Sequence, residues 1–412
     1  MQPERGSRES VVSTRRTGFT VRKQGCTSMD FQIKHHDTIR LDAEAAFRFG
    51  IEEEYFLCDA ATMQPATRSP DSLFRYRHPH TGASLGREML QAQLEVATQP
   101  HCSFADARDE LVMFRSTAAR AAADHGLKII AAGTHPTADW RKSVHSRKER
   151  YHSLMNELQI VGRRNMLCGM HVHVEVPDPE RRIDVMTRLI PYLPLLLALS
   201  TSSPFWRSEC TGLKGYRLAA YDELPRTGLP ELFWCQDDYD AYVAALVKSS
   251  AIEDASHIWW AIRPSTKYPT LELRAPDCCT RVDHSVAIAA LYRVLVRHLY
   301  RHPALNADLD AVDRSIAVEN KWRAQRYGIE ATLATRAGAI SVADMLHSLL
   351  EQTADDADAL GCADDAARCR GIVAEGTSAD AQLKVFLQHD EVPGPAALDA
   401  VMQWLAQATV AA

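Results

Sequence analysis

The residues best placed to do chemistry lie in Cys168-Gly169-Met170-His171-Val172-His173-Val174-Glu175-Val176, where apolar and polar side chains alternate. Side chains on a β-strand point to opposite faces with period two. One face therefore carries His171, His173 and Glu175, and the other Val172, Val174 and Val176. The valine face is cheap to bury. Three ionisable groups on the opposite face are not, unless something there uses them, which makes this strand a candidate floor for a metal and nucleotide site. Of equal weight from spacing alone is an exposed strand with a polar outer face, since His-x-His recurs by chance.

Three more segments repeat the pattern. Gly50-Ile51-Glu52-Glu53-Glu54-Tyr55-Phe56 puts Glu52 and Glu54 on one face, and Gln91-Ala92-Gln93-Leu94-Glu95-Val96 does the same for Gln91, Gln93 and Glu95. Leu271-Glu272-Leu273-Arg274 pairs Glu272 with Arg274 in front of leucines. A single strand of this kind is usually a solvated sheet face. A set of them is harder to dismiss, because clustered carboxylates repel one another unless cations neutralise them. Oxygen donors outnumber soft ones, which suits Mg2+ or Mn2+ better than zinc. Arg217, Arg226, Arg263, Arg274, Arg323 and Arg326 read as loop or element-end residues, where guanidinium groups can grip phosphate or carboxylate in a bidentate way. The bland reading, surface ion pairs, covers roughly half of such arginines. No Walker A sequence and no GxGxxG after a strand is present, which disfavours a P-loop or Rossmann site. Two alternatives stay open: a zinc hydrolase in which His171 and His173 help a carboxylate activate water, and a non-catalytic nucleotide or amino-acid binding protein.

The elements that must position these groups follow from periodicity and breakers. A strand is predicted over 47–57, a helix over 104–126 closed by Gly126, and a short strand over 128–133. A helix over 150–161 leads into the central strand. After Pro177-Asp178-Pro179 a long helix runs towards Ser203, and its apolar core Leu189 to Leu199, carrying Pro191 and Pro194, reads as buried and kinked rather than membrane-spanning. The stretch 204–235 reads as a long loop of the kind that is usually functional. Strands are predicted over 258–264 and 270–275, predominantly helices from Val282 onward, and an Ala-rich, helical segment over 331–412. No boundary divides 29–412, which reads as one domain.

Composition bounds the function. With 412 residues, 46% hydrophobic and 24% charged, the chain is an ordinary globular sequence with a sizeable core. A net charge of −6 gives no reason to expect nucleic acid or an anionic membrane as partner. Ten cysteines without CxxC spacing fit reduced thiols in the cytoplasm, and adjacent Cys278 and Cys279 fit packing. Residues 1–28 are basic and lack apolar periodicity, so they read as a disordered leader upstream of a candidate start at Met29. A homodimer is the default oligomer.

Six stretches in order add a resemblance to these readings. Gly-Ile-Glu-Glu-Glu-Tyr-Phe (50–56), Gln-Leu-Glu-Val (93–96), Cys-Gly-Met-His-Val-His-Val (168–174), Tyr-Arg (216–217) with Leu-Pro-Arg-Thr-Gly (224–228), Arg-Pro-Ser (263–265) with Leu-Glu-Leu-Arg (271–274), and Glu-Asn-Lys-Trp-Arg-Ala-Gln-Arg-Tyr-Gly (319–328) together resemble the type 2 glutamate–cysteine ligases, bacterial ATP-dependent carboxylate–amine ligases. The resemblance implies an α+β fold, a curved and mainly antiparallel sheet like that of the glutamine synthetase catalytic domain, flanked by helices. It implies ATP and Mg2+ (or Mn2+), an acyl-phosphate intermediate, and substrates such as glutamate or another carboxylate with cysteine or another amine. Glu52, His171 and Glu272 would hold one metal, and Glu54, Glu95 and Glu88 another. His173, Arg263, Arg323 and Arg326 would meet the nucleotide, and Arg217 and Arg226 the amino-acid substrate. Arg274 and Glu54 would serve the chemical steps, Arg274 by stabilising the transferring phosphoryl group. Relatives often have glycine where this chain has Glu175, so Glu175 is left out of the metal set.

Overall fold

The computed structural model describes residues 47–75, 84–146, 149–388 and 394–411. The basic leader 1–28 and Met29 lie outside the described residues. The strands are, in chain order, β1 (Phe49–Asp59), β2 (Gly86–Arg87), β3 (Gln93–Ala97), β4 (Leu127–Ile130), β5 (Met170–Glu175), β6 (Phe205–Trp206), β7 (Glu209–Cys210), β8 (Ile262–Pro264), β9 (Thr270–Leu273), β10 (Thr332–Thr335) and β11 (Gly338–Ser341). The main sheet runs β2-β3-β1-β5-β9-β8, with β4 also paired to β1, and every pairing is antiparallel. Phe56 is partnered by both Gln93 and Ile130, so β3 and β4 flank β1 on opposite edges.

The helices are, in chain order, α1 (Phe104–Ala123), α2 (Glu149–Arg163), α3 (Arg182–Leu189), α4 (Leu193–Ser200), α5 (Tyr216–Tyr221), α6 (Gln236–Lys248), α7 (Val282–Arg301) and α8 (Ala311–Tyr327), and of these α1, α3 and α7 pack directly on the main sheet. Further helices follow between Val342 and Val410. Ser103 caps α1 by accepting from the Asp106 amide, and Gly126 takes the left-handed φ of +67° just past its end. The segment from Pro179 to Ser200 is long and apolar enough to cross a membrane, but 83% of its apolar window is buried inside the fold. A 3₁₀ turn at Ile190–Tyr192 breaks it where Pro191 removes a backbone donor, so the expected kinked core helix is found.

Several sequence expectations need correction. The stretch 204–235 holds the short hairpin β6–β7 and the helix α5, so it is not one long loop. Residues 331–412 are not wholly helical, because β10 and β11 form a hairpin in which Leu333 lies opposite Ile340. Its strands are too short for their alternation to stand out from an Ala-rich background. The strand expected from 258 begins only at Ile262, and Gln91 sits in a turn before β3, where its side chain accepts from Ser69 rather than joining the strand face.

The two faces of β1 have opposite fates. Ile51, Tyr55 and Leu57 are fully buried on the side covered by α1 and α7. Glu53 is buried with them, and its carboxylate is held at 2.6 Å and 2.9 Å by Arg115 of α1 and at 2.5 Å each by Ser285 of α7 and the Tyr55 hydroxyl. Arg115 spends its remaining donors on the carbonyls of Thr280 (2.5 Å), Cys279 (2.8 Å) and Thr409 (3.3 Å), so one guanidinium ties the sheet to the C-terminal helix. Losing one partner of a buried pair strands the other charge, which costs about 3–5 kcal/mol. Arg115→Met should lower stability by about that much in urea unfolding. Combined with Glu53→Leu it should cost clearly less than the two single losses added, and strict additivity would show that the pair is not coupled.

Candidate active site

The other face of the same sheet gathers the ionisable residues, and the strand register explains how. Glu52 lies opposite His171, Glu54 opposite Glu95, His173 opposite Glu272, and Glu272 opposite Arg263. Directly paired residues in antiparallel strands point to the same side. Residues far apart in sequence thus share the floor of a cavity of about 1320 Å³, whose lining includes Glu52, Glu54, Glu88, Glu95, His171, His173, Arg217, Arg263, Glu272 and Arg274. Single small-molecule sites occupy roughly 300–1,000 Å³, so this space suits more than one substrate.

Glu52 is the hub. Its two oxygens lie 3.3 Å from His171 Nδ1 and 3.3 Å from His173 Nε2. Burial alone would raise its pKa, but the two imidazoles outweigh burial and hold the carboxyl well below its ordinary range. His171 is pushed down to about 4 by burial and by the nearby Arg274, so it is neutral at pH 7 and can act as a ligand. Glu54 sits 4.0 Å from His171 Nε2 and accepts from the Gly169 amide at 2.6 Å. Burial raises its pKa, with Arg217 opposing the shift. Glu95 is raised well above the usual carboxylate range by burial and then by Glu88, Glu52 and Glu54.

The arginines are fixed before any ligand arrives. Arg263 grips Glu272 in a bidentate way at 2.7 Å and 3.1 Å, Arg274 bonds the same carboxylate, and Arg274 also reaches the Tyr221 hydroxyl at 3.2 Å. Burial would raise the Glu272 pKa, yet these two guanidiniums hold it well below the ordinary value. Arg217 donates to the carbonyls of Arg274 (3.2 Å) and Pro276 (3.1 Å). It lies flat against Gly169, where a Cβ would fall 2.1 Å from its Nη2. Glycine there gives the guanidinium its place.

A divalent cation fits the donor set. Ligand atoms of Glu52, Glu95 and His171, and of Glu52, His173 and Glu272, lie within 4.8 Å of one another in each group. The Nε2 of His171 is buried without a hydrogen-bond partner. These groupings differ from the sequence expectation. Glu52 belongs to both groups, Glu95 joins Glu52 and His171, and His173 enters as a potential ligand where a nucleotide contact was expected. Glu272 is already neutralised by two arginines, which weakens it as a cation ligand in this arrangement.

Three arginines assigned to ligands do not line the cavity. Arg323 lies in the last two turns of α8 and Arg326 at its C-terminal end; Arg323 bonds Glu319 (2.8 Å) and the Thr332 carbonyl (3.1 Å), and Arg326 lies over Tyr327. The cavity lining therefore lacks both of the α8 arginines expected to meet the nucleotide. Arg226 stands behind the wall, donating to the His257 carbonyl at 2.9 Å and lying over Trp259, with Glu157 3.8 Å away. Arg217, in the first turn of α5, and Arg263, in the three-residue strand β8, stand at the ends of short elements. Glu175, despite its face on the central strand, pairs with Arg48 at 3.0 Å and does not line the cavity. Sequence reading missed the lining residues Glu157, Tyr221, Trp259, Lys267 and Tyr268. The last two lie on the turn joining β8 and β9, which could have been read as a hairpin between two site strands.

Residues 48–397 match the family described as glutamate–cysteine ligase family 2. A protein of Bradyrhizobium sp. strain ORS 278 that carries the provisional name glutamate–cysteine ligase 2 is 56% identical over 364 residues, 88% of each chain. Its namesake in Bradyrhizobium diazoefficiens is 54% identical over 366 residues, covering 89% of this chain and 85% of that one. The glutamate–cysteine ligase of Francisella tularensis, solved in complex with AMP, superimposes with a TM-score of 0.66 at 15% identity over 89% of both chains. The expected α+β fold of glutamine-synthetase type, an antiparallel sheet flanked by helices, is therefore the fold found.

The raised pKa of Glu95 makes stability pH-dependent in a defined direction. The folded chain holds a proton that the unfolded chain releases near pH 4.3, roughly, so stability falls as pH rises from there towards the folded-state pKa. In chelator-treated protein, Glu95→Gln should match the wild type at about pH 4 and exceed it in melting temperature by a margin that grows towards neutral pH. A margin independent of pH would show that Glu95 is not held protonated.

Proposed function

The chain belongs to glutamate–cysteine ligase family 2, which makes it an ATP-dependent ligase that forms C–N bonds, and from that premise we propose that it joins the side-chain carboxylate of glutamate, or a similar carboxylate, to the amine of cysteine or a related acceptor. The observation that carries this reading is the convergence of Glu52, Glu54, Glu95, His171, His173 and Glu272 with Arg217, Arg263 and Arg274 in one cavity. Two anions, a polyphosphate and a carboxylate, must meet for the reaction to begin, and such a site removes their repulsion.

The γ-phosphoryl of ATP passes to a carboxylate oxygen, releasing ADP and leaving an acyl phosphate. The amine nitrogen then attacks the carbonyl carbon, inorganic phosphate leaves, and the amide forms as the nitrogen loses a proton. Arg274, locked on Glu272, presents its remaining N–H groups to the transferring phosphoryl with little reorganisation, while Arg263, its Nη1 spent on the carbonyls of Ser256 and Ile258, keeps one Nη2 N–H for the nucleotide phosphates. Arg217 orients the carboxylate substrate. Glu54, kept more basic than an exposed glutamate by its burial, is suited to accept the amine proton. Glu52, Glu95, His171 and His173, with Glu54 and Glu88 beside them, would hold Mg2+ or Mn2+, while Glu272 stays paired with its two arginines. Bound there, the metal supplies neutralisation of the polyphosphate charge and alignment of its oxygens.

The zinc-hydrolase alternative finds less support, because both imidazoles are turned on one glutamate amid an oxygen-rich donor set and the arginines go unexplained. A cytoplasmic setting is consistent with the free thiols of Cys58, Cys168, Cys278 and Cys279 in the core.

The test is ADP and phosphate release in the presence of Mg2+, screened over carboxylates and amines. Release is expected only when a carboxylate substrate is supplied, with amide product only when an amine is added. Glu52→Gln and Arg274→Ala should each lower kcat by about a hundredfold or more while the protein stays folded. Substrate-independent ATP hydrolysis, or unchanged turnover in either variant, would count against the proposal.

A further inference from the structure

Asp277 does not line the cavity, yet its contacts lead to a residue that does. It is wholly buried in the segment after β9 and stands opposite Gly169 in an antiparallel bridge, so it backs the residue against which the Arg217 guanidinium lies. Its Oδ2 accepts from the Ser202 amide at 2.9 Å and the Ser203 hydroxyl at 2.6 Å, whereas Oδ1 is buried without a hydrogen-bond partner. The carboxylate is pressed against Gly133, where a Cβ would fall 2.5 Å from its Cγ, so the backbone makes room for it. An unsatisfied carboxylate oxygen in a dry interior is costly. Burial raises the Asp277 pKa, and the attraction of Arg217 is the largest influence opposing that rise.

Both ends of Arg217 depend on this aspartate. At the backbone end, α5 starts from Gly215 without a side-chain cap, so its first amides need acceptors from elsewhere. Ser203 supplies them: its carbonyl accepts from the Tyr216 amide at 3.2 Å, and its Oγ from the Arg217 amide at 2.9 Å. Because that Oγ gives its own hydrogen to Asp277, its lone pairs are turned on Arg217. At the guanidinium end, Nη1 is held by the carbonyls of Arg274 and Pro276, on the segment whose next residue is Asp277. Nε is buried without a partner, which leaves the field of the nearby carboxylate to hold what hydrogen bonds do not. We propose, resting on the reading that Arg217 orients the carboxylate substrate, that Asp277 is a positioning residue which sets Arg217 for that substrate through Ser203 and through its charge.

Steady-state kinetics of the full chain with ATP, Mg2+ and L-glutamate as the carboxylate test this role. Asp277→Asn keeps the shape of the side chain and removes its charge, and Ser203→Ala cuts the link to α5. Each should raise KM for L-glutamate about tenfold, with kcat and KM for ATP staying within about twofold of the wild type. In an Arg217→Ala background, Asp277→Asn should change kcat/KM for L-glutamate by less than about twofold, since nothing is left to position. A merely structural aspartate would move all of these parameters or none. An unchanged or lowered KM in both variants, or a full Asp277→Asn effect without Arg217, would overturn the role of Asp277. No turnover of L-glutamate, or an Arg217→Ala variant with unchanged KM, would refute the substrate reading alone. Crystal structures of the two variants then decide: Arg217 displaced from Gly169 upholds the positioning role, and Arg217 unmoved overturns it.

Discussion

Carboxylates brought together out of water repel one another, and the sheet is built around that repulsion. Glu52, Glu54, Glu88, Glu95 and Glu272 line one cavity, where the effective dielectric is low and like charges interact strongly. Within the chain the charge is met in two ways. Glu272 is neutralised outright by Arg263 and Arg274, whereas Glu52 is only partly compensated by two imidazoles and Glu95 is left to hold a proton. A site with that gradient suits cations at its Glu52–Glu95 end and anions at its arginine end. An ATP-dependent ligase needs both.

A single strand carries the consequences to both sides. On β1, Glu52 and Glu54 reach the cavity, and Glu53 between them is sealed into the core on Arg115. The alternation that exposes two glutamates to substrate obliges the third to find a buried partner. That partner links α1, the segment after β9 and the C-terminal helix. The helical tail far along the chain thus supports the strand that holds the site.

Rigidity is achieved by spending donors on the protein itself. Arg217 lies in the gap left by Gly169 and is anchored on backbone carbonyls, and Arg274 is anchored on Glu272 and Tyr221. Side chains fixed in this way lose little entropy when substrate arrives, which is how a preorganised site stabilises developing charge. Arginines not so enclosed, such as Arg323 and Arg326, serve the surface.

Period-two alternation made the polar faces of β1, β3, β5 and β9 legible in the sequence, and with them Glu52, Glu54, Glu95, His171, His173 and Glu272, because alternation is a local property of extended backbone. The ordered motifs added the family and its fold. What alternation could not decide was register. Which glutamate meets which histidine depends on how strands far apart in the chain align, and that is how Glu95, rather than Glu272, came to stand with Glu52 and His171. The same limit explains Arg226, Arg323 and Arg326, whose type and spacing invited a ligand role and which lie off the cavity lining. An arginine's reach is written in its own side chain, but where it points is settled by the packing of the helix or turn that carries it.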